Sequence, residues 1–307
     1  MKKLIVLAAL GLGAFAVWRK VQSDRAELDL WTEATAADED LSAAGGRLVK
    51  PEPGKSGKSD PARGGEPVSD TLAVSLVCCD VLGAAAVDGN GLERAFAEAI
   101  ATQGVVTGTA AYTRAMVQFD RTRGWAPGDV MRSLFPEDEI RAQAASLSFE
   151  RSFRAAVDRF GVLPLPGANE ALAKLTAAGL KVCLLSSLSR PALSLIMERL
   201  DWGQRTDLVL CADDVTRAFP WPDLILTALL RLGAGDVRNV AVVTASESGA
   251  VAARRAGAEL VVGLLSDVNG ANRLGRAGAT HLLADIGELP DLLSQAGIAP
   301  LGPHHGE

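Results

Sequence analysis

Beyond residue 70 the chain alternates short apolar runs with amphipathic stretches. Leu72 to Cys79 is a strand-like run that ends at Asp80, and Leu92, Ala95, Phe96, Ala99 and Ile100 then recur at helical spacing. Helical patterning without a clear strand continues to about Phe160. From Gly167 the alternation is regular. The pattern predicts helix 168–178 and strand 181–185, helix 191–200 and strand 207–211, helix 222–232 and strand 240–244. Helix 250–256 and strand 260–264 follow, then a last strand near 280–283 and helix 288–295. Strands separated by helices of ten or so residues imply βαβ units and a parallel sheet. In such sheets ligands bind beyond the carboxyl ends of the strands. That rule singles out Asp80, Ser186 and Ser187, Asp213 and Asp214, and the stretch Thr244 to Ser248.

The first seventy residues read differently. Leu4 to Trp18 is an unbroken run of apolar residues and glycine, flanked by Lys2, Lys3, Arg19 and Lys20. As a helix it spans roughly 22 Å, short of the ~30 Å hydrocarbon core. Flanking cations can snorkel and a bilayer can thin, so residues 4–18 read as a short membrane anchor. A cleaved signal peptide is the rival reading, because Ala14-Phe15-Ala16 fits a small-x-small site. Val21 to Trp31 has the pattern of a juxtamembrane amphipathic helix. From Asp38 to Asp70 the composition turns to Gly, Pro, Ser, Lys and Glu, which cannot bury enough apolar surface to order itself and reads as a tether.

Composition narrows the function classes. The net charge of −6 and the lack of a basic cluster argue against a nucleic-acid partner. Cys78, Cys79, Cys183 and Cys211 each sit in or at the end of an apolar run and read as reduced core thiols, which places the folded part in a reducing compartment. No Cys/His spacing suggests zinc. The three histidines, His281, His304 and His305, all lie near the C-terminus, so no upstream imidazole is available to activate a serine or cysteine nucleophile.

Two resemblances follow from these residues. Residues 1–40, above all Trp18-Arg19-Lys20-Val21-Gln22 and Arg25 to Ala34 around Asp29-Leu30-Trp31, resemble the very short bacterial membrane proteins named for their Asp-Leu-Trp motif. From about 72 to 293 the chain resembles the haloacid dehalogenase superfamily, and within it the phosphonoacetaldehyde-hydrolase-like branch. The likeness is carried by Asp80 at the end of the first strand and by Pro166-Gly167-Ala168. It is carried further by Ser186-Ser187-Leu188-Ser189-Arg190 and by Ala212-Asp213-Asp214-Val215 leading to Pro220-Trp221-Pro222-Asp223. Residues 253–262 and Gly278-Ala279-Thr280-His281 read the same way. The resemblance implies a Rossmann-like α/β core over 71–87 and 161–298, a helical cap inserted over 88–160, and a flexible tail over 299–307. Residues 1–37 would then be the anchor and juxtamembrane helix, and 38–70 the linker.

That superfamily attacks its substrate with an aspartate, and the resemblance assigns this nucleophile to Asp80. Ser186 matches the phosphate-binding hydroxyl, and Ser187, Arg190 and Arg217 are further candidates to bind phosphate. Around them the expected partners are missing. The acid or alanine two residues after the nucleophile is Leu82. The branch's cation before the proline turn is Phe219, with Arg217 two residues upstream as a substitute. The metal-binding acids fall at Ala245 and Gly249, leaving Asp80 and Glu247 as a poor pair for a hard dication, which needs an array of oxygen ligands. The lysine that would form a Schiff base falls at Pro127, and residues 88–160 contain no lysine.

One lost transition-state donor costs about 3–4 kcal/mol, so several losses together bring turnover near background. The expectation is therefore a member of the superfamily held at the cell membrane, its folded part on the cytoplasmic side, catalytically impaired and serving to bind a small molecule or a protein partner, with no cofactor. The alternative is an active hydrolase of a small phosphorylated or halogenated substrate, acting through Asp80 and, for phosphoryl transfer, Mg²⁺.

Overall fold

The computed structural model describes residues 74–266 and 270–295; the expected anchor, linker and tail lie outside these. Among the described residues no helix is long and apolar enough to cross a membrane.

The centre of the fold is a six-stranded sheet. Its strands are β1 (Leu76–Asp80), β4 (Lys181–Leu185), β5 (Leu208–Leu210), β6 (Val240–Thr244), β7 (Leu260–Leu264) and β8 (His281–Leu283), ordered β5-β4-β1-β6-β7-β8. Every neighbouring pair is parallel, and β1 lies between β4 and β6, with Cys78 opposite both Cys183 and Val242. Residues of β1, β6 and β7 are buried on both faces, which is why these strands are continuous apolar runs and do not alternate with polar residues. Successive β1 side chains enter opposite halves of the core. Val77 and Cys79 pack into one cluster with Phe96, Phe149 and Phe153, whereas Leu76 and Cys78 pack into the other with Phe219, Leu224 and Ile225. All four cysteines are buried and unbridged.

A two-residue pairing absent from the sequence pattern, β2 (Ala86–Val87) with β3 (Leu163–Pro164), is antiparallel and brackets the helical insertion. Between these strands lie α1 (Gly91–Thr102), α2 (Ala110–Arg121), α3 (Pro127–Leu134) and α4 (Glu139–Phe160). Three of the four starts have a capping side chain, while α3 starts on Pro127, whose missing N–H suits a first helical position. Asp88 Oδ2 accepts the Leu92 N–H at 2.7 Å, Thr109 Oγ1 accepts that of Tyr112 at 3.2 Å, and Asp138 Oδ1 that of Arg141 at 2.9 Å. Phe96 stacks on Phe119 with ring centroids 4.4 Å apart, tying α1 to α2.

The remaining helices alternate with the sheet strands: α5 (Ala168–Ala177), α6 (Arg190–Leu200), α7 (Asp223–Leu232), α8 (Glu247–Ala256), α9 (Ala271–Ala277) and α10 (Leu289–Gln295). Helix α8 begins three residues before the expected start. Ser246 caps it, its Oγ accepting the Gly249 N–H at 3.0 Å. The polar start of that helix therefore sits directly at the tip of β6.

Candidate active site

Asp80 is the last residue of the central strand, where a parallel sheet presents its side chains to a crevice. The crevice is a cavity of about 520 Å³ between the sheet tips and the helices 91–160, within the range of about 300–1,000 Å³ usual for small-molecule sites. Asp80, Leu82, Pro127, Ser186, Ser187 and Ala245 all line it. Arg190, Arg217, Phe219, Glu247 and Gly249 do not.

Burial governs the chemistry of Asp80. Its side chain is 8% exposed, and loss of water pushes the carboxyl up to about 7, with hydrogen bonds from Thr244 and the Val81 backbone offsetting only part of that. The Thr244 hydroxyl stands 3.4 Å from Asp80 Oδ2. Ser186 Oγ accepts the Leu188 N–H at 3.2 Å, a local turn bond. Ser187 Oγ is buried and has no hydrogen-bond partner among the described residues.

The two arginines that were candidate phosphate ligands pair elsewhere. The Arg190 guanidinium pairs with Asp214, whose carboxylate also accepts the Cys211 N–H at 2.8 Å. Arg217 binds both carboxylate oxygens of Asp223, at 2.9 and 3.2 Å, and lies over the Trp221 ring at 4.5 Å. In each case an acid in the adjoining loops captures the cation before it can reach the cavity. Phe219 is 2% exposed. It belongs to the core cluster on the opposite face of the sheet, so an arginine there would lie among Leu76, Leu185 and Ile225.

The residues at the β6 tip do not fit Mg²⁺. Ala245 offers no ligand atom. A Cβ on Gly249 would overlap Thr244 Oγ1 and stand 3.1 Å from Ser246 Oγ, so no carboxylate can be carried there without rearrangement. Glu247 is bound to Arg273, which also lies 3.6 Å from Asp120. Among the described residues no three His, Cys, Asp or Glu side chains form a group able to hold a metal ion. A hard dication wants several carboxylate or carbonyl oxygens, and around Asp80 the neighbouring side-chain oxygens are hydroxyls.

These hydroxyls do a different job. Thr244 Oγ1 and Ser246 Oγ are 3.2 Å apart, as are Ser246 Oγ and Ser248 Oγ, and Ser248 Oγ donates to the Arg123 carbonyl at 2.6 Å. That last bond joins the start of α8 to the loop between α2 and α3. Gly124 makes the approach possible: its φ is +82°, and a Cβ there would collide with Ser248 Oγ and stand 2.8 Å from Ser246 Oγ. The same docking brings Arg123 to the cavity wall. This cation escaped the sequence reading, which sought lysine in the insertion and arginine beside the proline turn. Its Nε donates to Asp120 Oδ1 at 2.8 Å. Asp88 and Asp285, also on the wall, start α1 and a short 3₁₀ turn respectively; Asp285 Oδ1 accepts the Gly287 N–H at 2.7 Å.

An aspartate thus ends the central strand, a helical insertion follows it, and Ser186 directly follows the neighbouring strand. Residues 70–257 match the family profile of haloacid dehalogenase-like hydrolases, more than half of the chain. The chain belongs to this family. Among haloacid dehalogenase-like proteins, it is 32% identical over 155 residues to the phosphonoacetaldehyde hydrolase of Bordetella pertussis, covering 43% of this chain and 56% of that one. It is 31% identical over 118 residues to a phosphorylated carbohydrates phosphatase of Thermotoga maritima, covering 38% of this chain and 54% of that protein. The chain thus spans about half the length of the curated relatives it matches. Among solved structures, a hydrolase from Pseudomonas syringae superposes with a TM-score of 0.62 at 25% identity, covering 72% of this chain and 98% of that one. A phosphonoacetaldehyde hydrolase like protein from Oleispira antarctica shares the fold, with a TM-score of 0.58 at 19% identity over 77% of this chain and 96% of that one. The haloacid dehalogenase-like hydrolases typically use Mg²⁺, which sets this chain's hydroxyl-rich β6 tip apart.

Proposed function

We propose that this haloacid dehalogenase-like protein keeps the phosphatase-related fold as a binding module and is catalytically impaired, held at the membrane by residues 4–18. The observation that carries this reading is Gly249, where Thr244 Oγ1 occupies the space a metal-binding carboxylate would need. Phe219 in the core and Arg217 bound to Asp223 deprive the carboxylate of the other expected charge. A buried aspartate flanked by hydroxyls, with the Arg123 guanidinium on its cavity wall already paired with Asp120, has little means to neutralise a transferring phosphoryl group. Phosphonoacetaldehyde chemistry is further removed, since Pro127 stands on the cavity wall where an amine would be required.

The test is a phosphatase assay on the full chain with 4-nitrophenyl phosphate, with and without Mg²⁺, beside Asp80→Asn. Turnover indistinguishable between the two proteins is expected, together with no saturable Mg²⁺ binding by calorimetry. Mg²⁺-dependent hydrolysis abolished in Asp80→Asn would overturn the reading. Membrane attachment is checked separately by carbonate extraction of the full chain against one beginning at residue 38; equal extraction of both removes the tether.

A second reading is favoured by one observation: Asp80, Ser186, Ser187 and Arg123 share a single cavity. In it the chain is an active hydrolase of a small phosphorylated or halogenated substrate, Asp80 attacking and Arg123 countering the developing charge. Its signature is a covalent adduct on Asp80 detected by mass spectrometry after substrate quench.

A further inference from the structure

We infer that the cavity beside Asp80 takes a phosphate monoester whose organic part is apolar, an aryl or short alkyl group, in preference to sugar and polyol esters. This deepens the binding-module reading and rests on it. The cavity wall is divided by chemistry. Polar side chains gather on the sheet side, where Asp80 ends β1, Ser186 follows β4 and Ser246 follows β6. The insertion supplies the facing wall, where Leu92, Trp125, Val130, Met131 and Phe149 predominate. Val130, Met131 and Phe149 are at most 4% exposed and belong to the core cluster, so packing fixes this wall as apolar.

The charged and hydroxyl side chains that the insertion brings to this wall are Asp88, Thr122 and Arg123. Two of them are already used within the insertion. Asp88 accepts the Leu92 N–H at 2.7 Å, and the buried Thr122 hydroxyl donates to the Gln118 carbonyl at 2.8 Å. Arg123 differs. Its Nε donates to Asp120 at 2.8 Å, but its Nη groups make no hydrogen bond among the described residues. A guanidinium with N–H groups to spare suits a phosphate head, and holding that head in the ground state asks less of it than stabilising a transition state. The hydroxyls of a sugar would give up water against a largely apolar wall, and each one left without a partner weakens binding. An aryl or alkyl body gains by leaving water.

The test uses the full chain and two pairs of probes: phenyl phosphate against glucose 6-phosphate, and n-butyl phosphate against glycerol 3-phosphate. All four carry the same head, so differences within a pair report the body. Affinities are read by calorimetry or ligand-observed NMR, with inorganic phosphate as the reference. In each pair the apolar ester is expected to bind at least about tenfold tighter, a gap of roughly 1.4 kcal/mol. Trp125→Gln, at a half-buried position, should narrow the gap between phenyl phosphate and glucose 6-phosphate several-fold and leave inorganic phosphate unaffected. The order of affinities in the parent decides by itself if that variant folds poorly. Sugar or polyol esters that bind as tightly as the apolar ones, no saturable binding of phenyl phosphate, or a gap unchanged in a folded Trp125→Gln protein overturns the proposal. Release of phenol from phenyl phosphate, dependent on Asp80, would defeat the impaired-enzyme reading alone. The affinities are then measured in Asp80→Asn, where the same order is still required.

Discussion

The two loops flanking the tip of β1 have been put to different uses. On the β4 side, Ser186 closes a local turn and Ser187 keeps an unpartnered hydroxyl beside the cavity. On the β6 side, Thr244, Ser246 and Ser248 bond to one another and to the Arg123 carbonyl. The first loop keeps its two hydroxyl side chains at the cavity lining. The second has become a docking surface for the helical insertion, and Gly124 and Gly249 are the small residues that let it close. Under the proposed impaired-enzyme reading, the site is altered from one side only, with side chains that serve packing standing where the family resemblance expects side chains that serve chemistry.

The strongest challenge to that comparison lies below the sheet tip, at Phe219. If its ring is structural, Phe219→Ala should cost about 3–5 kcal/mol, the range for emptying a buried aromatic site, read by urea denaturation. A cost under about 1 kcal/mol would mean that the position is not committed to packing and that a cation could return there.

Asp80→Asn sharpens the comparison at the tip itself. The folded-state value near 7 lies above the ordinary 3.8, because burial penalises the charged form. Between roughly pH 4 and 7 the native state therefore holds a proton that the unfolded chain has released. Stability falls as pH rises through this window, and the penalty is complete above it. The asparagine variant should be more stable than the parent at pH 8, by an amount on the order of 2–4 kcal/mol, with the difference vanishing towards pH 4. An advantage that does not change with pH would show that Asp80 ionises without penalty, and hence that some cation reaches it.

How much of this could be read from residues alone follows from what each signal depends on. Strands 181–185, 240–244 and 260–264 have the bounds their apolar runs predict, because strands buried on both faces leave no polar interruption. The β2–β3 pairing is two residues long on each side and leaves no periodicity to find. Helix α8 starts early because Ser246 caps it, and the run Ser246-Glu247-Ser248-Gly249 reads as a loop by propensity. Within the site, Asp80, Ser186 and Ala245 were legible because strand ends locate them. Arg123 was not: its position depends on where a loop of the insertion docks, and that is decided by Gly124 lacking a side chain. Arg190 and Arg217 misled for the converse reason. They lie beside the right motifs in sequence, but Asp214 and Asp223 hold them in place.

Gly249→Ala tests the β6 loop directly. The added methyl would overlap Thr244 Oγ1, so overpacking should cost about 1–3 kcal/mol. Gly249→Asp should be no better tolerated and should confer no Mg²⁺ response by calorimetry. If the aspartate variant instead folds as the parent does and binds the ion, the loop is more pliable than its hydroxyl contacts imply, and its two-sided contrast with the β4 loop weakens.

The smallest effect separates docking from metal binding at Glu247. This carboxylate is 42% exposed and pairs with Arg273, itself 40% exposed. Arg273 also reaches Asp120 in α2 at 3.6 Å, so the pair bridges the sheet region and the insertion. Exposed ion pairs contribute at most about 1 kcal/mol and are weakened by salt. Glu247→Gln should therefore lower stability by less than about 1 kcal/mol at low ionic strength, with the loss disappearing in high salt. A ligand to a divalent ion would behave in the opposite way. Its removal would leave the metal-free protein unchanged and abolish any stabilisation that Mg²⁺ confers on the parent. Denaturation of both proteins, with and without Mg²⁺ at two salt concentrations, places Glu247 on one side or the other, because a salt-dependent loss indifferent to Mg²⁺ fits only a residue that helps hold the insertion down.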